Sequence, residues 1–324
     1  MKVAILGAGA YGLAISQVLV DNGCEVSIWT KVIDEYEMLI NKKTKDDSLS
    51  GFKFDNNIKI TMDIKEAIND TDAIFIATSI KFVKPTLEEM KKYYKKEQHI
   101  CVACKGIDQD NLCFALELVK KILCTKKIAV ISGPTFAKDI LNKQPSALTL
   151  ATNCKSSAIL LKKYLDNDYL KINISNDVFG VEMWGAVKNI IAIACGIIDG
   201  MEYSTSTKSM FMTKVINDFI KMISYFGGKK ETFLSYAGIG DLWLTCNSFD
   251  SRNYTFGRLI GNNKNKEEID KYRDTTTIEG LYTLKSLYLL LKKYKYEMSF
   301  INIMYEIIYL NYDIKNILLY LNKF

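Results

Sequence analysis

KVAILGAGAYG, residues 2–12, decides how the first half of this chain folds. Its opening Lys2–Leu6 is a short apolar run with strand character, and Gly7-Ala8-Gly9-Ala10-Tyr11-Gly12 then fits GxGxxG and leads into a helical pattern, LAISQVLVDNG. The first glycine permits a tight turn and the second lets backbone approach a pyrophosphate. The third allows close packing of helix on strand, and the helix N-terminus favours the anion. A chance glycine turn is the bland alternative. The placement, directly after one strand and before a helix and a second strand (CEVSIW, 24–29), argues for a dinucleotide site. The second strand ends in Trp29-Thr30-Lys31, with Asp34 and Glu35 only later, where an acidic residue usually grips a ribose hydroxyl. Lys31 there would tolerate or favour an extra phosphate. The expected cofactor is therefore NADPH or NADH, with a slight lean to NADPH.

Working outward, further strands are expected at 57–61, 73–78, 99–103, 128–132, 147–151 and 170–174, with helical patterns at 64–69, 86–94, 111–123 and 156–165. Alternation of this kind implies a parallel, doubly wound sheet. After Gly180 long helical patterns take over, at 181–198, 207–225, 231–246, 277–294, 299–310 and 314–321, and the polar stretch GNNKNKEEIDKYRD (261–274) reads as a loop. The expected architecture is α/β: an N-terminal Rossmann-like doubly wound sheet over residues 1–179, joined to a C-terminal all-α domain over 180–324 that carries substrate and catalysis.

Composition narrows the function classes. The chain has 324 residues, 48% hydrophobic and 25% charged, which is ordinary for a globular protein of two domains. No uninterrupted apolar run nears the roughly 18 residues of a membrane span. The start of the chain shows no convincing signal-peptide cleavage site, so a cytoplasmic enzyme without an integral membrane segment is expected. A net charge of +6, spread along the chain, suits small anions rather than nucleic acid. The eight cysteines lack the pattern of a disulfide framework, and Cys101 and Cys104, three apart on an expected strand, would point to opposite faces. With a single histidine, His99, neither a zinc cluster nor a histidine triad is supported.

Chemistry concentrates elsewhere. GVEMWGAVKNIIAIACGIIDG (180–200) sets Lys188 in an almost uncharged helical run, where burial of the ammonium should lower its pKa toward proton-exchange range. A snorkelling lysine at the edge of a core helix is the alternative. Lys105-Gly106 and Gly133-Pro134-Thr135-Phe136-Ala137 both follow expected strands, at the carboxyl edge where such sheets bind ligands. Gly238-Ile239-Gly240-Asp241 offers a carboxylate beside flexible backbone. Ser251-Arg252-Asn253 combines a hydroxyl, a guanidinium and an amide, a good phosphate-gripping set in a chain whose only arginines are Arg252, Arg258 and Arg273.

Taken in order, GAGAYG, KGI, SGPTFAKDI, GVEMWGAVKNIIAIACGIIDG, AGIGDLWLTCNSFDSRN and IEG resemble the bacterial type of NAD(P)-dependent glycerol-3-phosphate dehydrogenase over nearly the whole chain. The resemblance implies a Rossmann-like domain and a helical domain with the active site in the cleft between them. It also implies interconversion of dihydroxyacetone phosphate and sn-glycerol 3-phosphate, which feeds glycerophospholipid synthesis. By resemblance, Lys188 is the proton donor and acceptor for the C2 oxygen, and Lys105 contacts cofactor and substrate. Gly133, Thr135, Asp241, Ser251, Arg252 and Asn253 fall on substrate positions, with Asp241 counted among the catalytic residues. Gly7, Gly9, Ala10, Tyr11, Gly12, Lys31, Ala137, Arg252 and Glu279 fall on cofactor positions, and no metal is implied.

Met183-Trp184-Gly185-Ala186 stands where the family usually has paired small residues, placing an indole near Lys188 or at a domain interface. Lys208 and Lys214 replace the family's usual asparagine and arginine after Gly200, and Thr78-Ser79 stands where proline-serine is common. Two rivals follow. One is a related Rossmann/helical dehydrogenase for another acidic hydroxy compound; the other is a catalytically inactive NAD(P)H-binding sensor. The apolar helical half suits either a homodimer or an internal core.

Overall fold

A computed structural model describes residues 1–41, 49, 51–52, 54–264 and 266–322. They divide into two compact units. One comprises Met1–Cys104 and Ala115–Val181, the other Lys105–Phe114 and Glu182–Phe324. The sequence reading draws its line at 179/180. Packing draws it inside the helix Val178–Gly200, and it also assigns the short excursion 105–114 to the helical unit.

The first unit holds an eight-stranded sheet in the order β3-β2-β1-β4-β5-β6-β7-β8. The strands are β1 Lys2–Leu6, β2 Glu25–Trp29, β3 Lys59–Thr61, β4 Ala73–Ile76, β5 His99–Val102, β6 Ile128–Ser132, β7 Ser146–Ala151 and β8 Leu170–Ser175. Central strands such as β4, β5 and β6 are buried along their whole length, as expected for a sheet covered on both faces. Strand order reverses between β1 and β4, which pair in parallel with Val3 opposite Ala73 and Leu6 opposite Ile76. Such a switch point opens a crevice at the carboxyl ends of the strands.

The sheet is not wholly parallel. β6 and β7 run antiparallel, because the segment joining them contains only the five-residue helix Ala137–Leu141, too short to recross the sheet. The helix expected over 86–94 runs instead over Ile80–Met90, with Pro85 inside it. Helices Ile33–Ile40, Ala137–Leu141 and Arg252–Gly261 were not evident from periodicity.

In the helical unit, Val178–Gly200 is long and apolar enough to cross a membrane, with mean hydropathy 1.6, but 94% of its most apolar stretch is buried in the protein. It crosses Arg252–Gly261 with almost no gap. A Cβ on Gly257 would lie 2.0 Å from the Ile193 carbonyl oxygen, and one on Gly196 would lie 2.1 Å from that of Tyr254. Small residues on both helices permit this approach, which fixes their register.

Two sequence expectations fail here. The stretch read as a loop contains the helix Lys266–Thr275, which buries none of its residues. Glu267 and Glu268 in its first turn and Arg273 in its last complement the helix dipole, and Glu268 pairs with Lys264 at 3.5 Å. The single helix expected over 231–246 is three pieces: a 3-10 turn Lys230–Leu234, a π-turn Tyr236–Gly240 and the α-helix Asp241–Cys246. Gly238 breaks the run with φ −90° and ψ −105°, and a Cβ on it would lie 2.2 Å from the Phe233 carbonyl oxygen.

Candidate active site

In the first unit the glycine turn is built by removing side chains. Gly7 has φ +118°, and a Cβ there would lie 2.8 Å from the Thr78 nitrogen beyond β4. A Cβ on Gly12 would strike the Gly7 carbonyl oxygen at 2.2 Å. Both glycines are therefore required by the turn itself. Gly9 differs: it is exposed, and a Cβ on it meets nothing within 4 Å. It caps the helix Ala10–Asp21 without a side-chain bond, and no acidic residue occupies that helix's first turn. Free space over Gly9 and an uncontested helix N-terminus suit a pyrophosphate. Ala10 and Tyr11 open the helix, and Thr135 bonds the Tyr11 hydroxyl at 3.5 Å. Gly133 lies against β7, where a Cβ would be 2.7 Å from the Ala147 carbonyl oxygen, and Ala137 begins a short helix nearby in sequence. Lys31 is paired with Glu89 at 3.1 Å.

In the helical unit, three charged groups from distant parts of the chain meet. Asp241 opens the helix Asp241–Cys246 and is 1% exposed. Its Oδ2 accepts from Lys105 Nζ at 2.7 Å and its Oδ1 from Lys188 Nζ. Lys105 arrives on the excursion 105–114, which folds back through an Ile107–Phe114 bridge and is held where Ser286 donates to the Ile107 carbonyl at 3.1 Å. Lys188 is 8% exposed and also donates to Thr245 Oγ1 at 2.9 Å, while that hydroxyl donates to the Asp241 carbonyl at 2.6 Å.

Burial dominates the titration of Lys188 and pulls its pKa down to about 8. Asp241 opposes that fall and Lys105 adds to it. Burial alone would raise the Asp241 carboxyl, but the two ammonium groups outweigh it and hold the carboxyl below its ordinary value. The result is a carboxylate held ionised between two lysines, one of which, Lys188, is poised to exchange its proton.

A polar chain runs beside this cluster. Asn189, next to Lys188, donates to Glu279 at 3.1 Å and accepts from Asn253 Nδ2 at 3.0 Å, and Asn253 Oδ1 accepts from the Gly280 amide at 2.8 Å. Ser251 caps the helix Arg252–Gly261 by accepting from the Tyr254 amide at 3.2 Å, and Arg252 is exposed in its first turn. Sequence reasoning missed Thr245 and Asn189. The spacing from Asp241 to Thr245, one helical turn, could have flagged Thr245. Asn189 had no signal beyond lying next to Lys188. Trp184 is 1% exposed and packs on Phe233 and Phe219 at centroid distances of 4.9 and 6.3 Å, so its indole fills core.

An open glycine turn at the switch point of a doubly wound sheet, together with a buried lysine tuned to exchange a proton, defines an NAD(P)-dependent oxidoreductase. The comparisons with known proteins then specify which. Residues 2–158 match the model of the NAD-dependent glycerol-3-phosphate dehydrogenase N-terminus, and residues 177–319 that of its C-terminus. A glycerol-3-phosphate dehydrogenase [NAD(P)+] of Staphylococcus epidermidis is 32% identical over 95% of this chain and 93% of its own length. Its counterpart in Bacillus subtilis is also 32% identical, over 95% of this chain and 90% of its own. The crystal structure of the Coxiella burnetii glycerol-3-phosphate dehydrogenase superposes with a TM-score of 0.94 at 29% identity, covering 100% of this chain and 99% of that one. A D-mandelate dehydrogenase aligns at TM-score 0.67 and 17% identity, a likeness of fold alone. The chain belongs to the NAD-dependent glycerol-3-phosphate dehydrogenase family.

Proposed function

We propose that this protein interconverts dihydroxyacetone phosphate and sn-glycerol 3-phosphate with Lys188 as the proton donor and acceptor, supplying glycerol phosphate for membrane lipid synthesis. The carrying observation is the Lys105–Asp241–Lys188 cluster, whose central carboxylate is 1% exposed. NAD(P)H, when bound, supplies the hydride. Gly7, Gly9, Ala10, Tyr11 and Gly12 hold its pyrophosphate side, with Lys31, Ala137, Lys105, Arg252 and Glu279 as further contacts.

For ketone reduction, Lys188 as ammonium gives a proton to the C2 oxygen while Lys105 stabilises the developing alkoxide. Asp241 orients both ammonium groups. Arg252, Asn253 and Ser251 grip the phosphate with Gly133 and Thr135 as further substrate contacts, and that remote binding positions the carbonyl. Asn253 is already fixed through Asn189 and Gly280, so its amide is oriented before substrate arrives.

No disulfide joins any of the eight cysteines, all of them among the described residues, which suits a reducing compartment and a cytoplasmic location. The apolar helical half is consistent with a homodimer.

The test is loss of NADH or NADPH absorbance with and without dihydroxyacetone phosphate, in the wild type and in Lys188→Ala. Substrate-dependent oxidation should fall by roughly 10²–10⁴-fold in the variant while it remains folded. Normal turnover by Lys188→Ala would remove its assigned role.

A further inference from the structure

We infer that Glu89 sets this protein's balance between NADPH and NADH by competing with the cofactor's 2′-phosphate for Lys31. This role rests on the cofactor reading above and adds a specificity determinant to it. Lys31 lies two residues beyond the end of β2, where doubly wound folds tell a ribose hydroxyl from a 2′-phosphate. Its ammonium stands 3.1 Å from the Glu89 carboxylate, which extends from the last turn of Ile80–Met90, the helix following β4 on the other side of the switch point.

The surroundings reinforce the competition. Asp63, Glu88 and Glu89 line the same concave surface as Lys31 and Lys92, three carboxylates against two ammonium groups. The neighbouring Thr30 is 2% exposed, and its hydroxyl is committed, donating to Glu35 at 2.7 Å and accepting from the Val32 amide at 3.2 Å. A phosphate monoester brings roughly one and a half to two negative charges. To bind Lys31 it must share the ammonium with the Glu89 carboxylate and remain beside that anion. A 2′-hydroxyl brings no charge and meets neither the attraction nor the opposition. Glu89 therefore acts on NADPH selectively. The Lys31 side chain is 73% exposed, so water and salt screen the interaction and its effect is modest.

Binding without turnover tests this directly. NADH and NADPH are titrated by nucleotide fluorescence into the full chain carrying Glu89→Gln, Lys31→Ala, both, or neither. Glu89→Gln should tighten NADPH by roughly fivefold and shift NADH by less than about twofold. The gain should vanish in the Lys31→Ala background and shrink in about 0.5 M salt. An unchanged ratio of the two Kd values, an equal gain for both nucleotides, or a gain that survives Lys31→Ala would overturn the assignment. Wild-type protein that binds neither nucleotide would overturn the cofactor reading itself, an outcome distinct from those three. Absence of turnover with normal nucleotide binding would strike the proposed reaction and leave the role of Glu89 standing.

Discussion

The two units build their binding chemistry by opposite means. The glycine turn at residues 7–12 works by subtraction, leaving backbone amides and empty space where Cβ atoms would stand. The cluster of Lys105, Lys188 and Asp241 works by concentration, placing two ammonium groups from widely separated segments around one buried carboxylate. Subtraction costs little in desolvation and is written in a few consecutive residues, although the space it spares also lies against Ala77 and Thr78. Concentration is expensive, because every buried charge must be balanced by another, and it depends on long-range packing. Damage should accordingly stay local in the first region and spread through the second.

The largest effect is expected from Asp241→Ala. It leaves Lys188, 8% exposed, and Lys105 facing one another without their shared anion. Removing one side of a buried ionic group costs about 3–5 kcal/mol. Urea denaturation of Asp241→Ala against the wild type measures this, and catalysis should be lost as well. Stability within about 0.5 kcal/mol of the wild type would show that the cluster is not a packed ionic centre.

The glycine turn allows a sharper contrast between two neighbours. Gly12→Ala drives a Cβ to 2.2 Å from the Gly7 carbonyl and should destabilise the N-terminal unit as well as weaken nucleotide binding. Gly9→Ala meets nothing within 4 Å and has ordinary backbone angles, φ −69° and ψ 168°. It should cost under about 1 kcal/mol of stability. Its NAD(P)H affinity should nevertheless fall by tenfold or more, because the added methyl occupies the space read here as the pyrophosphate's. Thermal melting and nucleotide titration of the two variants separate these outcomes. Equal loss of stability in both would contradict the division between turn-building and ligand-facing glycines.

The same contrast explains what was legible in the sequence. GxGxxG could be read at once because its geometry is decided between adjacent strand and helix, as were the β1 and β6 bounds, Lys2–Leu6 and Ile128–Ser132. Lys188 stood out because it breaks an apolar helix, and Lys105 and Asp241 were singled out as well, but no spacing showed that the three would meet. Asp241 and Lys105 lie 53 and 83 residues away along the chain, and only the fold of the excursion 105–114 and the π-turn at Gly238 brings them together. The helix Lys266–Thr275 was hidden for another reason: it buries no residue and so carries no apolar period. The antiparallel step from β6 to β7 was hidden because alternation of strands and helices does not report how far a short connection can reach.

A titration curve probes the charged region without disturbing its packing. Lys188 has its pKa lowered to about 8, chiefly by burial, so its ammonium fraction falls as pH rises through that value. With Lys188 as the proposed proton donor, ketone reduction draws on the ammonium, and its rate should fall about tenfold per pH unit above the break. Oxidation of glycerol 3-phosphate needs the free amine and should rise over the same range, then level off. Opposite-sign limbs with a common break, measured as kcat in the two directions, would assign the proton to one group. Limbs that fall together would point to unfolding or to a different titrating residue.

Thr245→Val should move that break by the least, yet it isolates one hydrogen bond of the cluster. The hydroxyl accepts from Lys188 at 2.9 Å and passes its own proton toward the Asp241 carbonyl at 2.6 Å. Valine keeps the shape of threonine and withdraws the acceptor. An ammonium that loses one of its acceptors is less stable, whereas a neutral amine loses almost nothing, so the Lys188 pKa should drop and the break should move to lower pH. A net hydrogen bond of about 1 kcal/mol corresponds to somewhat more than half a pH unit. Reduction should then slow by less than about twofold at neutral pH and by about fivefold above the break, and Thr245→Ser should restore the wild-type curve because it returns the hydroxyl. A break that stays in place in Thr245→Val would mean that burial, Asp241 and Lys105 set the proton affinity of Lys188 without help from the hydroxyl.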